Sequence, residues 1–416
     1  MKKLIHPAWI AALVTFLTLV ATSGFRAAPS VLIMPLHMAF GWSRSSISSA
    51  ISINVLVYGL TAPFAAALME RFGIRRVVMI ALTIVGTGAW CTQYINHPWQ
   101  LVLLWGFIVG GGTGSMALVF AASIANRWFI KRRGLVVGIL TASSAAGNLI
   151  FLPGLSRLVA HFGWKSVSVT VALGAFIMVP TIFLFLKESP LQAGVKPFGA
   201  PDDYEYPEQI KRNAGKEAID TLRRASRVRD FWLLCGSFFV CGLSTSGLIG
   251  THFIPAAMDH GMAMNTAASL LALVGIFDVI GTLASGWLTD RVDPVKLLFF
   301  YYFLRGLSLF LLPSILFGSV HPSTLVFVIF YGLDWVATVP PTVILCRRIL
   351  GPAHGTVIYG WVFASHQIGG SIAALGGAII HDKLGNYAAA FYAAAVLCLI
   401  ASYAVLKITP KELSER

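Results

Sequence analysis

Two short charged stretches decide the fold: residues 70–76, Glu-Arg-Phe-Gly-Ile-Arg-Arg, and residues 286–296, Gly-Trp-Leu-Thr-Asp-Arg-Val-Asp-Pro-Val-Lys. Each places an acidic residue directly before an arginine, between two long apolar runs. An acidic side chain at a helix end accepts hydrogen bonds from a neighbouring helix N-terminus or from an arginine. Such a contact latches helix ends together in one state and releases them in another. The repetition predicts a chain with two similar halves.

The chain around these stretches is strongly apolar. Of its 416 residues, 57% are hydrophobic and 12% are charged, and the mean hydropathy is +0.77. Soluble domains contain about 25% charged residues. We therefore interpret the sequence as an integral membrane protein. Because the apolar residues form long runs and do not alternate with polar ones, helices are expected to cross the bilayer, not barrel strands.

Twelve apolar runs reach the roughly 20 residues that a transmembrane helix needs. They lie at residues 9–37, 45–69, 77–95, 99–125, 135–160, 166–186, 231–257, 265–288, 295–316, 323–345, 355–379 and 387–406. The predicted fold is all-α, with twelve transmembrane helices in two six-helix halves, 1–186 and 231–416. Between them, 187–230 is predicted to be a cytoplasmic linker. Its second part has the apolar spacing of an amphipathic helix.

Basic residues set the predicted orientation. If the N-terminus is inside, most loop arginines and lysines fall on the cytoplasmic side, as the positive-inside rule requires. These residues are Arg71, Arg75, Arg76, Arg127, Lys131, Arg132, Arg133, Arg347 and Arg348. The first apolar run is too long for a cleaved signal peptide. We predict a multi-pass protein of the bacterial inner membrane with both termini in the cytoplasm.

The net charge of +14 is spread over successive inner loops and forms no single groove, so we expect no nucleic-acid partner. The five cysteines lie inside apolar runs without CxxC spacing and are interpreted as packed thiols. No cofactor and no metal site are predicted. The glycine run at 110–114 lacks the lysine of a phosphate-binding loop, and we interpret it as a close helix contact.

The two loops, the twelve spans and the central linker resemble the major facilitator superfamily. The signature of that family between spans two and three is G-x-x-x-D-[RK]-x-G-x-[RK]-[RK]. Ala66 and Glu70 replace its first glycine and its aspartate. The resemblance implies a transporter whose halves alternately expose a substrate site at the midplane. It also implies a cytoplasmic gate formed by Glu70, Arg71, Gly73, Arg75, Arg76, Gly286, Asp290 and Arg291.

Three stretches, 40–48, 126–134 and 365–370, look like the bacterial relatives of monocarboxylate porters and oxalate/formate exchangers. This resemblance implies small organic anions as substrates. The branch carries an Asp-x-x-x-Arg pair in span eight; here Asp278 matches the acid, but Thr282 stands at the arginine position. Proton-antiporting drug exporters have a G-P-x-x-G-G motif in span five, which this chain lacks.

Four charged residues lie well inside the predicted spans, away from the span ends: Arg26, Asp278, Arg305 and Asp334. A charge at the bilayer centre costs about 2.5–3.5 kcal/mol on insertion scales and needs a partner, a cavity or a purpose. Asp278, Arg305 and Asp334 lie at similar depth on consecutive spans. We predict that Arg305 is neutralised by Asp334, by Asp278 or by both. The cluster either braces the second half or couples an ion or substrate to transport.

Arg26 lies inside span one, and no acidic residue of the first six spans lies at a comparable depth. It either attracts an anionic substrate in a water-filled cavity or snorkels outward where two prolines break the helix. The other predicted substrate-binding residues are Asn54, Tyr58, Asn148, Trp335 and His366. His366 is either a proton carrier or a packed, hydrogen-bonded histidine.

The chain has no Walker motif and no catalytic triad arrangement, so we predict that it is not an enzyme. Our interpretation is a monomeric secondary transporter that moves a small organic anion, a carboxylate, by proton coupling or exchange. Two alternatives stay open. One is efflux of an amphipathic metabolite, drug or siderophore. The other is a non-transporting membrane sensor whose linker recruits a partner.

Overall fold

The computed structural model describes residues 6–116, 118–201, 203–204, 214–289, 291–351 and 355–408. Within the helices about two dozen further side chains, among them those of Glu70 and Asn148, lie outside this description. The first six spans are Pro7–Phe40, Arg44–Phe72, Ile74–Thr92, the segments Pro98–Leu101, Val102–Val109, Gly110–Gly114 and Leu118–Trp128 of span four, Arg133–Phe162 and Lys165–Phe185.

The second half repeats this plan after a short helix, Ala214–Ala225. Its six spans are Arg229–Gly242 with Leu243–Ile249 and Gly250–Asp259, then Met264–Thr289, Pro294–Ile315, Pro322–Asp334 with Val339–Leu350, Gly355–Leu384 and Ala388–Val405. Within the described residues, nine helical stretches are long and apolar enough to cross a membrane. The stretches 44–72, 98–128 and 133–162 complete the twelve. The predicted all-α fold is confirmed.

The packing of the spans shows the relation between the halves. In the first half, span one packs on span five, span two on span four and span three on span six. In the second half, span seven packs on span eleven, span eight on span ten and span nine on span twelve. Every pair is shifted by six spans. The contacts between the halves obey the same rule, since span two packs along span eleven and span eight along span five.

Glycines with positive φ reverse the chain at both ends of the bundle. Gly41 (φ 68°) ends span one and Gly73 (φ 91°) separates spans two and three. A side chain at these angles is strained, so glycine is the suitable residue. We refer to the two ends of the bundle as the Gly41 end and the Gly73 end. The predicted orientation makes the Gly73 end cytoplasmic.

The glycine run in span four lets three helices approach closely. A Cβ on Gly110 or Gly114 would lie 3.0 Å or less from backbone atoms of span two, at Asn54 and Tyr58. A Cβ on Gly112 would lie 2.5 Å from Val85 of span three. The interpretation of this run as a helix contact is therefore confirmed.

The short helix Ala214–Ala225 packs against spans two and eleven, one from each half. Ala218 and Ala225 are buried, as the amphipathic pattern predicts. The indole nitrogen of Trp361, on span eleven, donates a hydrogen bond of 3.0 Å to the carbonyl of Ala218. The linker thus contacts both halves at the Gly73 end.

The close crossing of spans seven and eleven generates a stability prediction. A Cβ on Gly242 would lie 1.8 Å from the carbonyl oxygen of His366, whereas a Cβ on Gly236, on the same helix, would meet nothing within 4 Å. We expect Gly242→Ala to destabilise the protein by about 1–3 kcal/mol, because the backbones must separate. Gly236→Ala is the control and should be neutral or slightly stabilising. Thermal unfolding in detergent measures both, and equal midpoints would contradict this view of the crossing.

Candidate functional site

A cavity of about 160 Å³ lies between the two halves. Spans one, two and five line it from the first half, and spans seven, eight and ten line it from the second. Its polar lining includes Arg26, Asn54 and Tyr58 on one side and Ser246, Asp278 and Trp335 on the other. Five of the predicted site residues therefore meet at one place: Arg26, Asn54, Tyr58, Asp278 and Trp335.

Arg26 points its guanidinium into this cavity and lies over the ring of Tyr58. Its Cζ is 4.2 Å from the ring centre, and Nη1 donates a hydrogen bond of 3.3 Å to the phenol oxygen. The stacking holds the side chain in place through its flat face. Within the described part of the chain, Arg26 has no acidic partner, and more than a third of the residue is exposed. A cation placed in this way is available to an anionic ligand.

Asn54 precedes Tyr58 by one helical turn, so both side chains lie on the same face of span two. The amide nitrogen of Asn54 donates a hydrogen bond of 2.6 Å to the carbonyl of Trp105. Trp105 lies in the π-helical segment of span four, where the regular bonding pattern changes. Asn54 thus fixes the wall of the cavity and lines it.

Span ten is broken between Asp334 and Val339. Pro340 and Pro341 follow the break and lack the N–H groups that would bond one turn back. Neighbouring spans bond the freed backbone groups. The hydroxyl of Ser285, on span eight, donates to the carbonyl of Ala337, and Asp278 accepts a bond of 3.1 Å from the amide of Val336.

Arg305 bonds the other side of the break and is fully buried. Its Nε lies 2.6 Å from Oδ2 of Asp334, and Nη2 donates to the carbonyls of Asp334 and Trp335. Nη1 donates to the sulfur of Cys241 at 3.0 Å. The structure therefore pairs Arg305 with Asp334. Among the described contacts Asp278 forms no ion pair with Arg305, and it accepts a hydrogen bond from the hydroxyl of Thr282 at 3.0 Å.

Two of the predicted substrate-binding residues are not among the described lining of the cavity. His366 packs between Phe238 and Phe363, whose ring centres are 4.9 Å and 5.7 Å from its own. Its Nδ1 is buried and has no hydrogen-bond partner among the described residues. The side chain of Asn148, the other residue, lies outside the described ones.

At the Gly73 end, the carboxylate that caps a helix is that of Glu188, to which the sequence reasoning gave no role. It accepts hydrogen bonds from the amides of Ile74 (2.6 Å) and Arg75 (3.0 Å) at the start of span three. It also pairs with Arg127 at 3.1 Å. A Cβ on Gly73 would lie 2.9 Å from this carboxylate, so glycine permits the approach.

The second copy of the loop is arranged similarly. Asp293 caps the start of span nine, where Oδ1 accepts from the amide of Val295 at 2.8 Å. Arg291 stacks on Trp287 with its Cζ 4.2 Å from the ring. Arg71 and Arg76 are exposed. Asp290 and the side chain of Glu70, both predicted gate residues, lie outside the described set.

At the Gly41 end an ion pair joins the halves, which the sequence reasoning also missed. Both terminal nitrogens of Arg44, on span two, bond the carboxylate of Asp259 on span seven, at 2.8 Å and 2.6 Å. Tyr387 accepts from Arg44 at 3.3 Å, and His381 lies 3.1 Å from Asp259. Among the ion pairs between described residues, Arg44–Asp259 alone connects the two halves.

Comparison with known proteins places this architecture in a family. The model of the Major Facilitator Superfamily matches residues 11–374. The chain belongs to the major facilitator superfamily. It is a membrane transporter and not an enzyme, as its sequence predicts. The superfamily recognised from the loops at 70–76 and 286–296 is confirmed.

Similar members come from bacteria and animals. The uncharacterised MFS-type transporter YcxA of Bacillus subtilis is 24% identical, over 97% of this chain and 95% of the YcxA chain. Monocarboxylate transporter 13 of Rattus norvegicus is 26% identical, over 95% of this chain and 87% of the rat protein. Among solved structures, a bacterial homologue of the human lysosomal transporter Spinster, inward-facing and unoccupied, has a TM-score of 0.72 at 16% identity. The superposition covers 99% of this chain and 100% of the homologue. The last comparison shows the fold alone.

The buried pair on spans nine and ten yields a test by double mutation. Removing either partner of a buried ion pair leaves an uncompensated charge and costs about 3–5 kcal/mol. We therefore expect Arg305→Met and Asp334→Asn each to lower the unfolding temperature of this superfamily member strongly. The double variant should recover part of the loss. If it is no more stable than the worse single variant, the two residues do not act as a pair.

The Arg44–Asp259 pair predicts the behaviour of the Gly41 end. We expect Arg44→Gln to open this end more often, because the ion pair between the halves is lost. A thiol introduced into the cavity by Ser246→Cys should then react at least tenfold faster with an impermeant reagent added on that side, which corresponds to about 1.4 kcal/mol. Arg157→Gln, an exposed arginine at the same end, is the control. Unchanged labelling in Arg44→Gln would show that the pair does not hold the end closed.

Proposed function

We propose that this transporter moves a small metabolite bearing a carboxylate, and that Arg26 binds the carboxylate. The observation that carries the proposal is the contrast between two arginines. Arg305 is fully buried and neutralised by Asp334. Arg26 lines the cavity, and its hydrogen-bond and ring partner among the described residues is the neutral Tyr58. An unneutralised cation in a membrane cavity favours an anionic partner.

The size of the cavity supports a small substrate. Its volume of about 160 Å³ is well below the roughly 300–1,000 Å³ of pockets for drug-sized ligands. Efflux of a large amphipathic compound fits this space poorly. The name of the rat relative, monocarboxylate transporter 13, points to the same class of substrate.

The proposed cycle uses the contacts at the two ends. In the described state Arg44 and Asp259 hold the Gly41 end together. The substrate enters from the Gly73 end, binds Arg26, and is enclosed by groups of both halves. Breaking the Arg44–Asp259 pair then lets the halves rock and expose the cavity at the opposite end. Binding shifts this equilibrium only by its differential affinity for the two states.

The finer assignments belong to the same proposal. We place the protein in a bacterial inner membrane as a monomer, with both termini and the linker 187–230 in the cytoplasm. Proton coupling or exchange would drive the transport. The arginines of the Gly73 end, near Glu188 and Asp293, would form the cytoplasmic gate. The sensor alternative predicts no uptake even in the intact protein. A transporter whose linker is only a tether should take up substrate both with the linker and after its deletion.

The role of Arg26 is tested by ligand-induced stabilisation. A ligand at 100 times its dissociation constant stabilises a protein by about 2.7 kcal/mol. We expect mono- or dicarboxylates to raise the unfolding temperature of the wild type and not of Arg26→Ala. Arg157→Ala, which loses the same charge elsewhere, should keep the full shift. Sugars and hydrophobic drugs complete the panel, at two pH values. If only hydrophobic compounds act, or if Arg26→Ala responds like the wild type, the efflux alternative replaces this proposal.

A further inference from the structure

Among the described residues that line the cavity there is one charge of each sign, and each belongs to a different half. Arg26 comes from span one and Asp278 from span eight. Within the described part of the chain, neither is engaged in an ion pair. Arg305 is the arginine nearest to Asp278 along the membrane-spanning sequence, and it already forms an ion pair with Asp334. The charge of Asp278 is therefore left to the cavity.

The hydrogen bonds of Asp278 leave one oxygen free for a ligand. Oδ1 accepts both the hydroxyl of Thr282 and the amide of Val336. Among the described groups none donates to Oδ2. The two bonds fix the carboxylate at the wall, and the residue is only partly buried. A carboxylate held in this way is an acceptor for a donor that enters the cavity.

The balance of charge limits which ligand fits. With both side chains ionised, Arg26 and Asp278 sum to zero. A bare anion would give the cavity a net negative charge and would share that cavity with the carboxylate of Asp278. A ligand with one anionic and one cationic group satisfies both and leaves the cavity neutral. The ring of Trp335, next to Asp278 in the lining, offers an aromatic face of the kind that cations bind.

We propose that the substrate is a zwitterion of the amino-acid type, with its carboxylate on Arg26 and its protonated amine on Asp278 and the ring of Trp335. This inference rests on the proposed function, because it keeps the carboxylate on Arg26 and adds a second recognised group. Such a ligand bridges the two halves directly. It therefore contributes both contacts only when the halves have closed around it.

The test uses ligands that differ in one substituent. Propionate, lactate and alanine carry hydrogen, hydroxyl and ammonium at C2, and 3-phenylpropionate, phenyllactate and phenylalanine repeat the series at larger size. Binding to the purified protein is measured by thermal stabilisation and calorimetry at neutral pH. We call alanine and phenylalanine the ammonium members and propionate and 3-phenylpropionate the hydrogen members. In at least one series we expect the ammonium member to bind at least tenfold more tightly than the hydrogen member.

Asp278→Asn is the decisive variant, because its amide oxygen still accepts from Thr282 and Val336 while the charge is lost. We expect it to lose the tenfold preference for ammonium and to bind the hydrogen member at least as well as the wild type. Thr282→Val keeps the carboxylate, controls for the local hydrogen bond and should keep the preference. The unfolding temperature without ligand shows whether each variant is folded.

Three results would overturn the inference alone. One is equal binding of the hydrogen and ammonium members, with both dependent on Arg26. Another is an Asp278→Asn variant that keeps the preference or weakens all three members equally. If none of the six compounds binds but a dicarboxylate stabilises the protein through Arg26, the inference also fails alone. If no carboxylate binds, or if binding does not depend on Arg26, the proposed function fails together with the inference. The pattern of results thus separates the two.

Discussion

The break in span ten is the constraint on which much of the second half depends. A bilayer supplies no water to backbone groups, so a helix interrupted at membrane depth must find its hydrogen bonds within the protein. Arg305 supplies them from span nine and Asp278 and Ser285 supply them from span eight. The charged and polar residues of spans eight, nine and ten therefore form one hydrogen-bond network around the break. The bond between Asp278 and the amide of Val336 also ties Asp278 to the break, next to Trp335 at the cavity wall.

The intramembrane charges divide into those that are satisfied by the protein and those that are left for a ligand. Arg305 and Asp334 neutralise each other within a buried network, where an unpaired charge would be costly. Arg26 and Asp278 lie in the cavity on opposite halves, each with neutral hydrogen-bond partners. This separation explains how a protein with so few membrane charges has both a stable frame and a polar site.

The two ends of the bundle differ in how the halves meet. At the Gly41 end a two-pronged ion pair crosses between the halves and is reinforced by Tyr387 and His381. At the Gly73 end the described ion pair, Arg127 with Glu188, joins the first half to the start of the linker and does not reach the second half. There the halves share the linker helix, which touches spans two and eleven. An alternating-access transporter needs this difference between its ends in each of its two open conformations. The contacts that close one end must then be absent at the other.

The sequence by itself determined the membrane class, the twelve helices and the family, because apolar run length and the repeated loop motif are local properties of the chain. It also singled out Arg26 and the cluster of Asp278, Arg305 and Asp334, since charges within apolar runs are conspicuous. Tertiary structure decided how those charges are divided: Asp334, and not Asp278, pairs with Arg305, whereas Asp278 and Arg26 both line the cavity. It alone revealed the roles of Glu188 and of Arg44 with Asp259, residues 61 or more positions away from the partners they bind. A charge at the end of a helix looks ordinary in a sequence. Only the packing of distant spans brings an opposite charge within hydrogen-bond distance and gives it a function.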